Sequence, residues 1–201
     1  SLGDSDAMHG PISYYLFALP ILVTRNPISI FIFLAVLNVL AVYVSYMIGR
    51  DFVGKDASLI AALIITVNPF MVCFSRLIID DGLTMIFVSL IYYCFFSILF
   101  RKNSAVSQIA FPPLIMLGIG IHFQLFLTFL IMIGLFLLYR PKLSWKCLVF
   151  GFIIGCALCA PQIYHDIAVK NTHFVSIARL LLSYVAGDLY SNTEKALKAN
   201  G

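Results

Sequence analysis

Five stretches without a charged side chain dominate the chain: Pro27–Gly49, Ala57–Ser75, Gly82–Phe100, Ala105–Tyr139 and Cys147–Tyr164. A helix rises about 1.5 Å per residue, so about 20 apolar residues cross a hydrocarbon core about 30 Å thick. The spacing therefore predicts membrane-crossing helices over these stretches. Ala105–Tyr139 holds 35 residues, about 52 Å as one helix, which is too long for a single ordinary crossing. Gly118, Gly120 and His122 stand near its middle and predict a tight hairpin of two short helices, with His122 at the turn. That makes about six crossings.

Two more apolar segments do not fit the same length. Pro11–Val23 has 13 residues and cannot span. With Tyr14 and Tyr15 at one end and Arg25 just beyond, it reads as a helix lying along the membrane interface. Phe174–Tyr190 places Phe174, Ile177, Leu180, Leu181 and Tyr184 at helical spacing. It reads either as a second interface helix or as the start of a further span. The fold class is thus all-α: a polytopic integral membrane protein with about six transmembrane helices plus one or two interface helices, in a single transmembrane domain over residues 1–201.

Composition excludes the soluble alternatives. Hydrophobic residues make up 62% and charged residues 11%, against roughly 45–50% and 25% in soluble domains. Disordered chains are polar and highly charged, the opposite balance. A net charge of +4 is no signature of a nucleic-acid partner, because basic residues on membrane proteins first report topology. Five cysteines, mostly inside apolar runs, imply no disulfide framework. The chain opens on a polar stretch at Ser1 with its first methionine at Met8, and is expected to be an internal piece of a longer polypeptide.

Charge also orients the helices. With Arg50–Asp56 cytoplasmic, the inner loops hold Arg50, Lys55, Arg101, Lys102, Arg140, Lys142 and Lys146, seven basic residues against the two acids Asp51 and Asp56. Asp4, Asp6, Asp80, Asp81, Asp166, Asp188 and Glu194 fall on the other side, and so do His9, His122, His165 and His173. This asymmetry obeys the positive-inside rule and requires the hairpin, since an unsplit fourth run puts Arg140 outside.

The polar residues near these outer ends carry the candidate chemistry. In Ser75-Arg76-Leu77-Ile78-Ile79-Asp80-Asp81-Gly82, Arg76 and Asp80 are spaced to pair on a helical turn. Two carboxylates beside an arginine can hold a metal, orient a phosphate or activate an acceptor. The competing account is structural: Asp80 or Asp81 caps the following helix and Arg76 snorkels outward. His9 precedes a Gly-Pro turn that chiefly signals helix entry. His122, beside Gln124, is either a binding residue or a polar hairpin tip satisfied at the interface. Asp4 and Asp6 form a D-x-D pair of a kind that can bind divalent cations, or simply a polar terminus. Cys156 and Cys159 lack a second ligand pair, so zinc and redox chemistry are not supported. Asn68-Pro69 reads as a kink or stop in the second span.

These residues, in this order, carry a resemblance. His9-Gly10-Pro11-Ile12-Ser13-Tyr14-Tyr15-Leu16 resembles the end of the first external loop of GT-C glycosyltransferases, the polyprenyl-phosphate-sugar-dependent enzymes that include protein O-mannosyltransferases and the lipid A aminoarabinose transferase. Tyr46-Met47-Ile48-Gly49-Arg50-Asp51-Phe52-Val53-Gly54-Lys55 is similar to the family's first inner loop. Arg76-x-x-x-Asp80-x-x-Leu83 matches its R-x-x-x-D-x-x-L pattern; Gly118–Gln124 and Pro161-Gln162-Ile163-Tyr164 fit more loosely. The resemblance covers most of residues 9–170.

It implies inverting transfer of a sugar from a polyprenyl-phosphate donor to a protein or glycolipid acceptor, on the external or lumenal face of the plasma membrane or endoplasmic reticulum. It further implies Asp80 as the catalytic residue that orients the donor or a divalent metal, with Arg76, His9, His122 and Asp81 binding substrate. The family's acidic residue in the first external loop has no confident counterpart here, so the general base is expected upstream of Ser1. The competing classes are a transporter, which places ionisable groups at the midplane of broken and often repeated helices, and a structural membrane subunit. No internal repeat is visible in the sequence.

Overall fold

The computed structural model describes residues 12–100, 104–122 and 125–168, with only the backbone described at Asp80 and 165–168. All regular structure among these residues is helical. The elements are α1 (Ile12–Thr24), α2 (Ile28–Phe52), α3 (Lys55–Val67), α4 (Pro69–Phe74), α5 (Asp80–Phe100), α6 (Ala105–Ile121), α7 (Leu125–Tyr139), α8 (Trp145–Leu158) and α9 (Ala160–Ala168). The described residues up to Gln162 form one compact unit, and the described residues 163–168 belong to a second. The interface or spanning segment expected over Phe174–Tyr190 lies outside the described residues, as do His9, Asp4 and Asp6.

Among the described residues, α2 and the helix Asp81–Phe100 are long and apolar enough to cross a membrane, while α1, α6, α7 and α8 are shorter apolar helices. Large apolar side chains lie on the outside of the bundle: Phe31, Val39 and Tyr43 of α2, Leu59 and Leu63 of α3, Leu127 and Leu137 of α7, and Phe152 of α8 are all exposed. A water-soluble bundle hides such residues, whereas lipid receives them without cost.

Two breaks follow from local chemistry. Asn68 adopts an extended backbone and its side chain accepts the Phe70 N–H at 2.9 Å, so Asn68-Pro69 ends α3 and caps α4. At His122 the backbone is again extended, with φ −143° and ψ 117°, and α6 stops. The rings of Phe111 and Phe136 lie 5.6 Å apart, so α7 folds back along α6 as the expected hairpin. One expectation needs correction: Cys147–Tyr164 is not one helix, because it breaks at Cys159 between α8 and α9. Pro161, second residue of α9, suits a helix start and not a helix interior.

Packing is set by two parallel helix pairs. Asn38 bonds to Gly82, Ser45 Oγ lies 3.3 Å from Ser89 Oγ, and the rings of Phe52 and Phe96 stand 5.7 Å apart. Every partner is 44 residues further along, and the contacts recur every seven. That is the heptad repeat of helices crossing at a shallow angle, so α2 and α5 run side by side in the same direction. α6 pairs likewise with α8 and the start of α9: Gly151 abuts Ile109, Gly155 abuts Pro113, and Gly120 abuts Gln162, each 42 residues apart.

Glycine makes the second pair close. A Cβ on Gly151 would collide with the Ile109 carbonyl oxygen. Pro113 has no N–H to offer that carbonyl, so the Gly151 backbone fills the gap the proline leaves. The spacing Gly151-x-x-x-Gly155 is that of close-packed helices in membranes.

Candidate functional site

The descending and returning helices give the bundle two unlike ends. At one, the rings of Phe52 and Phe100 bring together the ends of α2 and α5, at 5.8 Å. There Gln108, 3% exposed, accepts the Ser144 N–H at 2.7 Å and ties the α7–α8 loop to α6. Arg50, Lys55, Arg140, Lys142 and Lys146 belong to this end, and Arg50 pairs with Asp51 at 3.0 Å. Arg140 takes the left-handed conformation, φ 46°, and its N–H bonds to the Phe136 carbonyl to close α7.

At the other end, α5 begins at Asp80 while α6 finishes at Ile121. His122 Nε2 lies 3.2 Å from Asp81 Oδ1. The His122 N–H donates to the Gly118 carbonyl, and the His122 carbonyl accepts from Leu125 N–H, so one residue closes α6 and opens α7. That double duty fixes the backbone from which the imidazole reaches α5. Asp81 lies in the first turn of α5, where the helix dipole favours a negative charge. The imidazole is mostly covered, with 19% of its side chain exposed against 44% for Asp81. Solvent or a ligand therefore reaches this pair from the carboxylate side.

The first turn of α5 is held on two sides. Asn38 Nδ2 donates to the Gly82 carbonyl at 3.2 Å and to the Leu34 carbonyl at 2.9 Å. A Cβ on Gly82 would stand 2.8 Å from the Phe74 carbonyl oxygen and 3.4 Å from Leu34 Cδ2, so glycine lets α2, α4 and α5 converge there. Asn38 is ten residues beyond Ile28, so the start of α5 is recessed about 15 Å along α2. At Gly120, two residues before His122, a Cβ would meet Ile12 Cδ1 and Gln162 Oε1 at 2.5 and 2.6 Å. The start of α1 and Gln162 thus pack against α6 two residues before His122.

Several expected residues meet here and others do not. Asp81 and His122 come together; His9 lies outside the described residues, and Asp80 is placed by its backbone alone at the first position of α5. Arg76 and Asp80 have the spacing of a helical turn, but the backbone between them, over 75–79, is not helical. Arg76 is exposed in that connection. Ile79 precedes α5, and both aspartates fall in its first turn. Asn38 and Gln162 were not among the expected site residues. A lone amide in the middle of an apolar span was the available signal for Asn38.

Among the described residues no three His, Cys, Asp or Glu side chains gather as a metal site. A carboxylate beside an imidazole can instead hold and reorient a proton, present a fixed acceptor to a sugar hydroxyl, or balance a phosphate.

A family model described as dolichyl-phosphate-mannose-protein mannosyltransferase matches residues 8–165, and the chain belongs to that family. No curated protein and no solved structure matches it.

Proposed function

We propose that this member of the dolichyl-phosphate-mannose-protein mannosyltransferase family transfers a sugar from a polyprenyl-phosphate donor to a protein or glycolipid hydroxyl. The transfer takes place at the bundle end that carries Asp80, Asp81 and His122. The observation that supports this reading is the Asp81–His122 contact, between two expected substrate-binding residues some 40 positions apart in sequence. Family membership supports the lipid-linked donor. The basic residues at the opposite end support an external or lumenal location.

The helices α2, α3 with α4, α5, α6, α7, and α8 with α9 serve as six crossings, supported by their alternating directions. α1, with Tyr14 and Tyr15 exposed and Ile12, Ser13 and Phe17 packed inward, lies along the outer interface.

In the reaction the acceptor oxygen attacks the anomeric carbon, the bond from that carbon to the lipid phosphate breaks, and a general base takes the hydroxyl proton. Asp80 orients the donor or a divalent metal. Asp81, fixed by His122, binds the sugar hydroxyls. Arg76 holds the leaving phosphate, for which a planar guanidinium offers two parallel donors. His9 contributes to substrate binding.

The test is lipid-dependent sugar transfer by the full-length protein carrying Asp80→Asn. Asparagine keeps the volume and removes the charge, so transfer should nearly vanish while expression and membrane insertion persist. Wild-type transfer in this variant would remove Asp80 from the site. A wild-type protein that moves substrate across vesicles without transferring sugar would support the transporter class instead.

A further inference from the structure

Asn38 sits near the middle of α2, 7% exposed, on the face that packs against α5. Both partners of its Nδ2 are carbonyls, those of Leu34 and Gly82, so the amide group can be oriented only with its nitrogen toward them. Its Oδ1 is left buried without a hydrogen-bond partner among the described residues. In an apolar interior an orphan acceptor opposes stability, and an apolar side chain of the same branched shape would carry no such cost. Span stability therefore does not account for the amide. Its distinctive bond is the one that leaves its own helix, and the residue it grips is the immediate neighbour of Asp81.

We propose that Asn38 is a positioning residue for the Asp81–His122 site, holding the first turn of α5 from the middle of α2 through the Gly82 carbonyl. The proposal rests on the functional reading above and extends it to a residue that touches no reacting group. The physical chain is short: Asn38 Nδ2 to Gly82 O at 3.2 Å, Gly82 to the adjacent Asp81, and Asp81 Oδ1 to His122 Nε2 at 3.2 Å. Gly82 cannot drift toward α4, because the Phe74 carbonyl closes that side. Nor does the Leu34 bond explain the geometry, since a side chain reaching the carbonyl four residues back stays on its own helix.

The same helix pair supplies the control. Ser45 and Ser89 meet one heptad further from the site, at 3.3 Å, so Ser45→Ala removes a comparable interhelical contact remote from Asp81.

The experiment measures lipid-dependent sugar transfer and the thermal midpoint of the full-length protein in lipid nanodiscs. Asn38→Leu should hold or raise the midpoint while lowering kcat about 10-fold to 100-fold, the scale of a small misplacement of a reacting group. Ser45→Ala should stay within about twofold of wild type. In an Asp81→Asn background, Asn38→Leu should add less than about twofold, because a residue acting through Asp81 has nothing left to position. A kcat for Asn38→Leu equal to wild type, or a full multiplicative loss in the double variant, would overturn the proposal. Should Asn38→Leu fail to fold, Asn38→Ser carries the same expectations, since its hydroxyl reaches the Leu34 carbonyl and not Gly82. Wild-type rates for Asp81→Asn and His122→Gln would bring down the functional reading together with this one. Losses in those two with none in Asn38→Leu would bring down this one alone.

Discussion

The imidazole of His122 and the carboxylate of Asp81 meet at 3.2 Å where α6 ends and α5 begins. Neither side chain reaches the other by local spacing. The contact exists because a hairpin turn and a helix start are brought level by antiparallel packing of α5 and α6, with Gly118 against Phe87 and Ile91. A polar pair in a recess of an apolar bundle is expensive unless each member satisfies the other.

That mutual dependence is measurable. Asp81→Asn and His122→Gln should each lower lipid-dependent transfer about 100-fold, and the double variant should fall little further, because the two act as a unit. A double variant reduced by the product of the two single effects would mean that the residues work independently.

Much of this arrangement is legible in the sequence, and the reasons differ by element. The break at His122 was foretold by a run too long for one crossing with glycines at its centre, and Asn68-Pro69 announced its own stop. The helix pairing was not legible. α2, α5, α6 and α8 are apolar around their whole circumference, so no polar face tells which side turns inward. Register emerges only once the contacts at Asn38, Ser45 and Phe52 are seen to repeat. Arg76 and Asp80 are spaced for a helical turn, but the backbone over 75–79 is not helical, and spacing alone does not reveal where a helix starts.

The glycines of α8 should respond unequally to alanine. At Gly151 the new methyl would run into the Ile109 carbonyl, a backbone atom that cannot step aside without moving α6. At Gly155 it would meet Met116 Sδ at 2.6 Å and Pro113 Cα at 3.2 Å, and a methionine side chain can swing away. Gly151→Ala should therefore destabilise by about 1–3 kcal/mol, with Gly155→Ala clearly milder. Thermal unfolding of both variants in one detergent decides it; equal midpoints would contradict the packing.

Topology gives a third expectation. Single cysteines replacing Arg140 or Lys146 should resist a membrane-impermeant thiol reagent added outside intact cells, in a background with Cys73, Cys94, Cys147, Cys156 and Cys159 replaced. A cysteine at Arg76 should react. External labelling at position 140 would invert the assignment of the basic end.

The last expectation separates the recess from the bundle that supports it. Gly120→Ala and Gly134→Ala are the same chemical change in neighbouring apolar helices, but their surroundings differ. Around Gly134 there is nothing within 4 Å of a new methyl, so the variant should gain about 0.5–1 kcal/mol from helix propensity and keep its activity. At Gly120 the methyl would meet the ends of two flexible side chains, Ile12 Cδ1 at 2.5 Å and Gln162 Oε1 at 2.6 Å. Flexible ends can yield, so stability should change by less than about 1 kcal/mol. Yielding, however, moves Ile12 and Gln162 from their places two residues before His122. Transfer should then fall at least about fivefold, because groups that border a site act through their placement. Measured together, an unchanged midpoint with reduced transfer in Gly120→Ala would tie this corner to substrate. Equal activity in the two variants would instead make the close approach at Gly120 a matter of packing alone.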